Sequence, residues 1–107
     1  MNDGQQWIEI CAVDAVDEED VIRFDHADRT FAVYRLAGDD FYASDGLCTH
    51  ERVHLAGGLV MDGIIECPKH NGRFDIRTGA AKGAPVCVGL KTYPVKVEAG
   101  RVLIQLD

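Results

Sequence analysis

A chain of 107 residues, 47% apolar and 27% charged, is long enough for one small domain around a single core. Its formal charge of −7 disfavours nucleic acid and anionic membrane surfaces as partners, since both need clustered Lys and Arg; it suits brief, charge-steered encounters with other proteins. No apolar run is long enough to cross a bilayer, and residues 1–6 carry no basic run, apolar core or twin arginine of an export signal. A cytoplasmic protein is therefore expected. There thiols stay reduced, so four cysteines read as metal ligands or packing residues before disulfides. Cys11 and Cys87 fall in apolar segments with no histidine close by, and are expected to be small buried hydrophobes.

Trp7–Val13 reads as an opening strand, followed by an acidic run (Asp14, Asp17, Glu18, Glu19, Asp20) that reads as a solvated connection, with docking as the alternative. Val21–Phe24 and Phe31–Leu36 alternate weakly around the polar turn Asp25–Arg29, where His26 is expected to be solvated. Gly38-Asp39-Asp40 then turns the chain into Phe41–Ala43. Four short strands in a row without helical periodicity predict an antiparallel sheet. From Ser44 the texture changes: Gly46, Gly57, Gly58, Gly63, Gly72, Gly79 and Gly83 with Pro68 and Pro85 predict irregular backbone with close approaches. Within it, Gly63–Cys67 and Phe74–Ile76 read as short strands. Lys91–Val97 and Arg101–Leu106, joined at Glu98-Ala99-Gly100, predict a hairpin that closes the core. Both chain ends thus build a β scaffold that presents a glycine-rich lobe from the middle.

That lobe carries the chemistry. Cys48-Thr49-His50 and, sixteen residues on, Cys67-Pro68-Lys69-His70 form two clips, each with one Cys and one His. One zinc could take all four ligands, or a two-iron cluster could take both thiolates on one iron and both imidazoles on the other. Zinc sites usually pair Cys with Cys two to four residues apart and His with His three to five apart, so mixed clips match zinc poorly. The two-iron centre needs what is present, including glycines that let backbone N–H groups point at sulfur.

Cys48-Thr49-His50, sixteen residues, then Cys67-Pro68-Lys69-His70-Asn71-Gly72-Arg73-Phe74-Asp75 resembles the cluster signature of the Rieske family. Thr78-Gly79, Ala84-Pro85 and Lys91–Val97 are similar to the small Rieske ferredoxins of bacterial aromatic-ring dioxygenases, the naphthalene type especially. The resemblance runs over nearly the whole chain. It implies an all-β Rieske fold: an antiparallel β-sandwich scaffold (1–44 and 86–107) with a cluster-binding subdomain at about 45–85. It implies one [2Fe-2S] cluster per chain, Cys48 and Cys67 on a buried iron, His50 and His70 on an iron near the surface, and a third loop at Ala84-Pro85 that covers it. It also implies a monomeric electron carrier, without catalysis of its own, between a flavin-containing NAD(P)H ferredoxin reductase and a terminal Rieske oxygenase, both transient partners. A Rieske oxygenase would need a second iron on two His and a carboxylate, and only His26 and His54 remain. The alternative is a structural zinc domain, or an accessory subunit on a Rieske scaffold like small nitrite reductase subunits, which would be expected to have lost ligands.

Rieske proteins of respiratory bc complexes carry a disulfide between the loops; the matching positions here are Val53 and Lys69, so that staple is absent. Their hydroxyl donors to cluster sulfur correspond to Gly72 and Phe74, which have none. Around the clips, His54 is a candidate docking residue, and Val53 and Leu55 read either as an apolar rim or as loop packing. Arg52 and Lys69 either tune and steer or are ordinary surface charge. Phe74 is expected beneath the second loop, with Asp75 pinning it by a local hydrogen bond. Fewer donors to sulfur destabilise the electron-rich reduced state, so protein-film voltammetry should place the midpoint at about −150 mV, the low end of the Rieske range, falling further at alkaline pH as ligating imidazoles lose protons. A clearly positive midpoint at neutral pH would contradict this.

Overall fold

The computed structural model describes residues 6–50, 52–69, 71–83 and 88–106, and its regular structure is almost wholly strand. In chain order these are β1 (Gln6–Ala12), β2 (Asp20–His26), β3 (Arg29–Arg35), β4 (Phe41–Asp45), β5 (Leu59–Met61), β6 (Ile64–Glu66), β7 (Arg73–Asp75), β8 (Thr92–Tyr93), β9 (Val95–Glu98) and β10 (Arg101–Leu106). They pair into three antiparallel sheets, ordered β1-β10-β9, β2-β3-β4-β8 and β5-β6-β7.

β3 explains how the sheets stack. Its centre, Phe31-Ala32-Val33-Tyr34, is apolar throughout and wholly buried, the pattern of a strand covered on both faces. Phe31 and Val33 face a core shared with Val102, Ile104 and Leu106 of β10, which packs the first two sheets as a sandwich. Ala32 and Tyr34 face the opposite way, into a second core with Leu55, Ile65 and Phe74 of the glycine-rich lobe. The Tyr34 hydroxyl lies 2.7 Å from Ser44 Oγ, which donates onward to the Asp45 carbonyl at 2.8 Å, so Tyr34 is the donor and neither buried oxygen is orphaned.

Several expectations hold and several need correction. The strands, the C-terminal hairpin and the scaffold drawn from both chain ends are found. The first four strands do not share one sheet: β1 leaves to pair with β10, because β3 needs a second sheet over Phe31 and Val33. Lys91–Val97 is not one strand. Pro94, which has no N–H for a ladder, divides it, so β8 pairs with β4 and β9 with β10. The polar turn shrinks to Ala27-Asp28, and His26 ends β2 with its ring stacked on Phe24 rather than solvated. Cys11 is half-buried beside a bulge in β1, not fully buried; Cys87 lies outside the described residues.

β5 is not among the expected strands; its local signal is Asp62-Gly63, both with positive φ, which closes a two-residue hairpin onto β6. Ala99-Gly100 makes the same turn between β9 and β10, again with both φ values positive (51° and 76°). Alanine is strained there, whereas asparagine tolerates the left-handed region and the turn is exposed. Ala99→Asn should stabilise the chain by about 0.5–1 kcal/mol in urea unfolding. An unchanged or lower midpoint would contradict that reading of the turn.

Candidate metal centre

Two hairpins in the glycine-rich lobe carry the clips, and they are built alike. In the first, Leu47 bridges His54, and the Cys48 N–H donates to the Val53 carbonyl at 3.0 Å. In the second, Glu66 pairs with Arg73, and the Cys67 N–H donates to the Gly72 carbonyl at 2.7 Å. Each cysteine therefore opens a turn whose backbone is closed five residues later. Cys48 and Cys67 are 3% and 1% exposed and belong to the same apolar cluster as Leu55, Ile65, Phe74 and Leu90. His50 is exposed. His70 lies outside the described residues, as does the expected covering loop at Ala84-Pro85; Asn71, directly after His70, takes a left-handed conformation (φ 56°). Among the described residues no three His, Cys, Asp or Glu side chains converge closely enough to hold a single ion.

Packing settles the roles of the neighbours. Leu55 is fully buried and Val53 half-buried against the second core, so they are loop packing, not a rim. Phe74 is fully buried beneath the second clip. Asp75 Oδ1 accepts from the N–H groups of Arg77 (2.9 Å) and Thr78 (3.1 Å), which is the expected local pin. Arg52 and Lys69 are exposed. Arg73 Nε meets Glu66 Oε2 at 3.3 Å across the base of the second clip, a surface pair of small energetic weight.

The first clip is fastened at both ends by contacts between residues far apart in sequence. At its entry, Tyr93 Oη donates to Asp45 Oδ1 at 2.5 Å and accepts from Arg29 Nη2 at 2.8 Å. Burial, then the Asp45 carboxylate, push the Tyr93 hydroxyl up to about 12, so it stays a donor at any working pH. At its exit, His54 is turned inward, which disfavours the docking alternative raised for it. Nδ1 accepts from the Ala56 N–H at 3.0 Å, capping the short 3-10 turn Leu55–Gly57, and Nε2 lies 2.9 Å from Thr30 Oγ1. Gly46 makes room, since a Cβ there would sit 2.5 Å from His54 Nε2. Thr49 Oγ1 also donates to the Val88 carbonyl at 2.7 Å, tying the clip to the chain beyond the third loop.

Two soft thiols embedded in one apolar cluster, with an imidazole at the surface, fit a group bound by sulfur at an inner end and nitrogen at an outer one. Comparison with known proteins points the same way. Residues 6–94 match the family model described as the Rieske [2Fe-2S] domain. The ferredoxin component of the naphthalene 1,2-dioxygenase system of Pseudomonas aeruginosa is 42% identical over 103 residues, 96% of this chain and 98% of that protein. The solved ferredoxin of Sphingomonas yanoikuyae B1 superposes with a TM-score of 0.88 at 37% identity, covering 95% of this chain and all of that one. A chain in the complex of reduced oxygenase and oxidised ferredoxin in carbazole 1,9a-dioxygenase gives 0.86 at 34%, covering 92% and 91%.

The hold on Cys67 can be tested through Gly58, where a Cβ would lie 2.1 Å from the Glu66 carbonyl oxygen, one residue before the thiol. Gly58→Ala should cost about 2–3 kcal/mol and lower iron content, because the backbone that aims Cys67 must move. Gly57→Ala is the control: its Cβ would make only an ordinary 3.7 Å contact with Pro68, and both quantities should stay near wild type.

Proposed function

The chain belongs to the Rieske [2Fe-2S] family, and we propose that it passes electrons, one at a time, from a flavin-containing NAD(P)H-dependent reductase to the terminal oxygenase of an aromatic-ring dioxygenase system. It is an electron carrier, not itself the catalyst. Cys48 and Cys67 are the ligands of the inner iron, and His50 and His70 those of the outer one, in a cluster-binding subdomain at about 45–85 of a single domain. When bound, the cluster supplies the one-electron chemistry; the protein holds it, tunes it and offers a docking face.

One observation carries this reading: both thiols are buried in one apolar cluster, while His50, two residues from Cys48, is exposed. Buried thiols are kept from solvent and oxidants, while an exposed imidazole lets a partner's redox group come close without either protein opening. Charge favours the same lobe. Residues 45–85 hold five Lys or Arg and five Asp or Glu, whereas the rest of the chain holds six and thirteen. The acidic body and the neutral lobe orient the molecule lobe-first toward an acidic partner face. No helix is long and apolar enough to cross a membrane, and a cytoplasmic monomer meeting both partners in turn fits this use.

Purified protein should be red-brown with two irons and two acid-labile sulfides per chain. After dithionite reduction, its EPR spectrum should have an average g value below that of all-cysteine clusters. It should also couple NAD(P)H oxidation by a flavin reductase to oxygenase turnover, at a rate that falls as salt is raised. A colourless protein holding one zinc would refute this reading.

A further inference from the structure

The exit of the first clip is held by a chain of side chains whose protons can all be assigned from the network. Asp25 is ionised, since the Thr30 hydroxyl and the Arg23 guanidinium hold its carboxyl below the usual range. Thr30 Oγ1 is 2.5 Å from Asp25 Oδ1, so its single proton goes there and its lone pair faces His54 Nε2 at 2.9 Å. That nitrogen must donate. Nδ1, taking the Ala56 N–H, carries no proton. The ring is therefore the neutral Nε2–H tautomer.

We propose that His54, as a neutral imidazole, is a positioning residue for the cluster, latching the first clip to the β2–β3 turn and thereby fixing where Cys48 and His50 meet the irons. The proposal rests on the ligand assignment made above. Thr30 and its neighbour Arg29 then serve as one anchor: Arg29 reaches the clip's entry through Tyr93 and Asp45, and Thr30 reaches its exit through His54. With Gly46 N–H donating to the Thr30 carbonyl at 3.0 Å and Leu55 N–H to the Gly46 carbonyl at 2.8 Å, both ends of the clip converge on the first two residues of β3.

The latch has a pH limit. Protonation would put an N–H on Nδ1 against the N–H of Ala56, and two donors cannot pair. Burial, then Arg23, keep the His54 pKa below its ordinary value, while Asp25 and the Phe31 backbone pull the other way. Among the described residues, the charged groups facing the ring are Arg23 and Asp25 of β2, and β3 adds the Thr30 hydroxyl and the Phe31 backbone. A depressed folded-state pKa means that the contribution is full above about pH 6.5, the unfolded value, and is lost as pH falls below it.

The test compares loaded wild type with His54→Ala, His54→Asn, Thr30→Val and the Ala/Val double variant. It measures iron release to a chelator from pH 7.5 to 5.5, together with reduced-state EPR. At pH 7.5, His54→Ala should release iron about tenfold faster, the factor that 1.4 kcal/mol carries at 25 °C. Its g values should shift, and wild type should approach its rate as pH falls. His54→Asn, which keeps a cap for Ala56 but is too short for Thr30, should match Thr30→Val at an intermediate rate, and Thr30→Val should add nothing to His54→Ala. Wild-type rates and g values in the variants, or full additivity in the double variant, would overturn the latch. If His54→Ala does not fold, an unaffected Thr30→Val overturns it alone. A wild type without iron and sulfide would instead overturn the ligand assignment, and the latch with it.

Discussion

Everything in this molecule depends on one strand being buried on both faces. β3 gives Phe31 and Val33 to the sandwich core and Ala32 and Tyr34 to the core under the clips. Side chains alternate across a strand, so neither set can shift without turning the other outward. The scaffold and the cluster-bearing lobe thus share a rigid wall. The thiols rest on the lobe side of it, in the same apolar cluster as Tyr34, Leu55 and Phe74.

That wall also supplies the fastenings of the first clip. Arg29 and Thr30 stand where β3 begins, and through Tyr93–Asp45 and His54 they reach both ends of the Gly46–His54 segment. The second clip depends on local structure instead: it is the loop of a β6–β7 hairpin, closed by Cys67 N–H to Gly72 and backed by the tight approach of Gly58 to the Glu66 carbonyl. One clip is positioned by long-range side-chain contacts and the other by its own hairpin. An electron carrier benefits from both, since a site that barely moves needs little reorganisation when its charge changes.

The asymmetry of burial matches the asymmetry of ligand chemistry. Thiolates are prone to oxidation, which burial of Cys48 and Cys67 prevents, and a neutral imidazole such as His50 tolerates the surface. Most of the acidic residues lie outside the 45–85 segment, which is itself formally neutral.

The sequence by itself determined the strands, the glycine-rich interruption and the two Cys/His clips, because these are written in local chemistry: β-branched runs, turn residues and soft ligands at short spacing. It also foretold Phe74 beneath the second loop and the Asp75 pin, both of which act within a few residues of their own position. Only the tertiary structure decided that β1 joins β10, that Pro94 divides one apolar run between two sheets, and that Leu55 and His54 point inward. Those outcomes involve distant partners, such as Thr30, 24 residues from His54, and Gln105, 98 residues from Trp7, and a side chain carries no local mark of what it will meet across a fold.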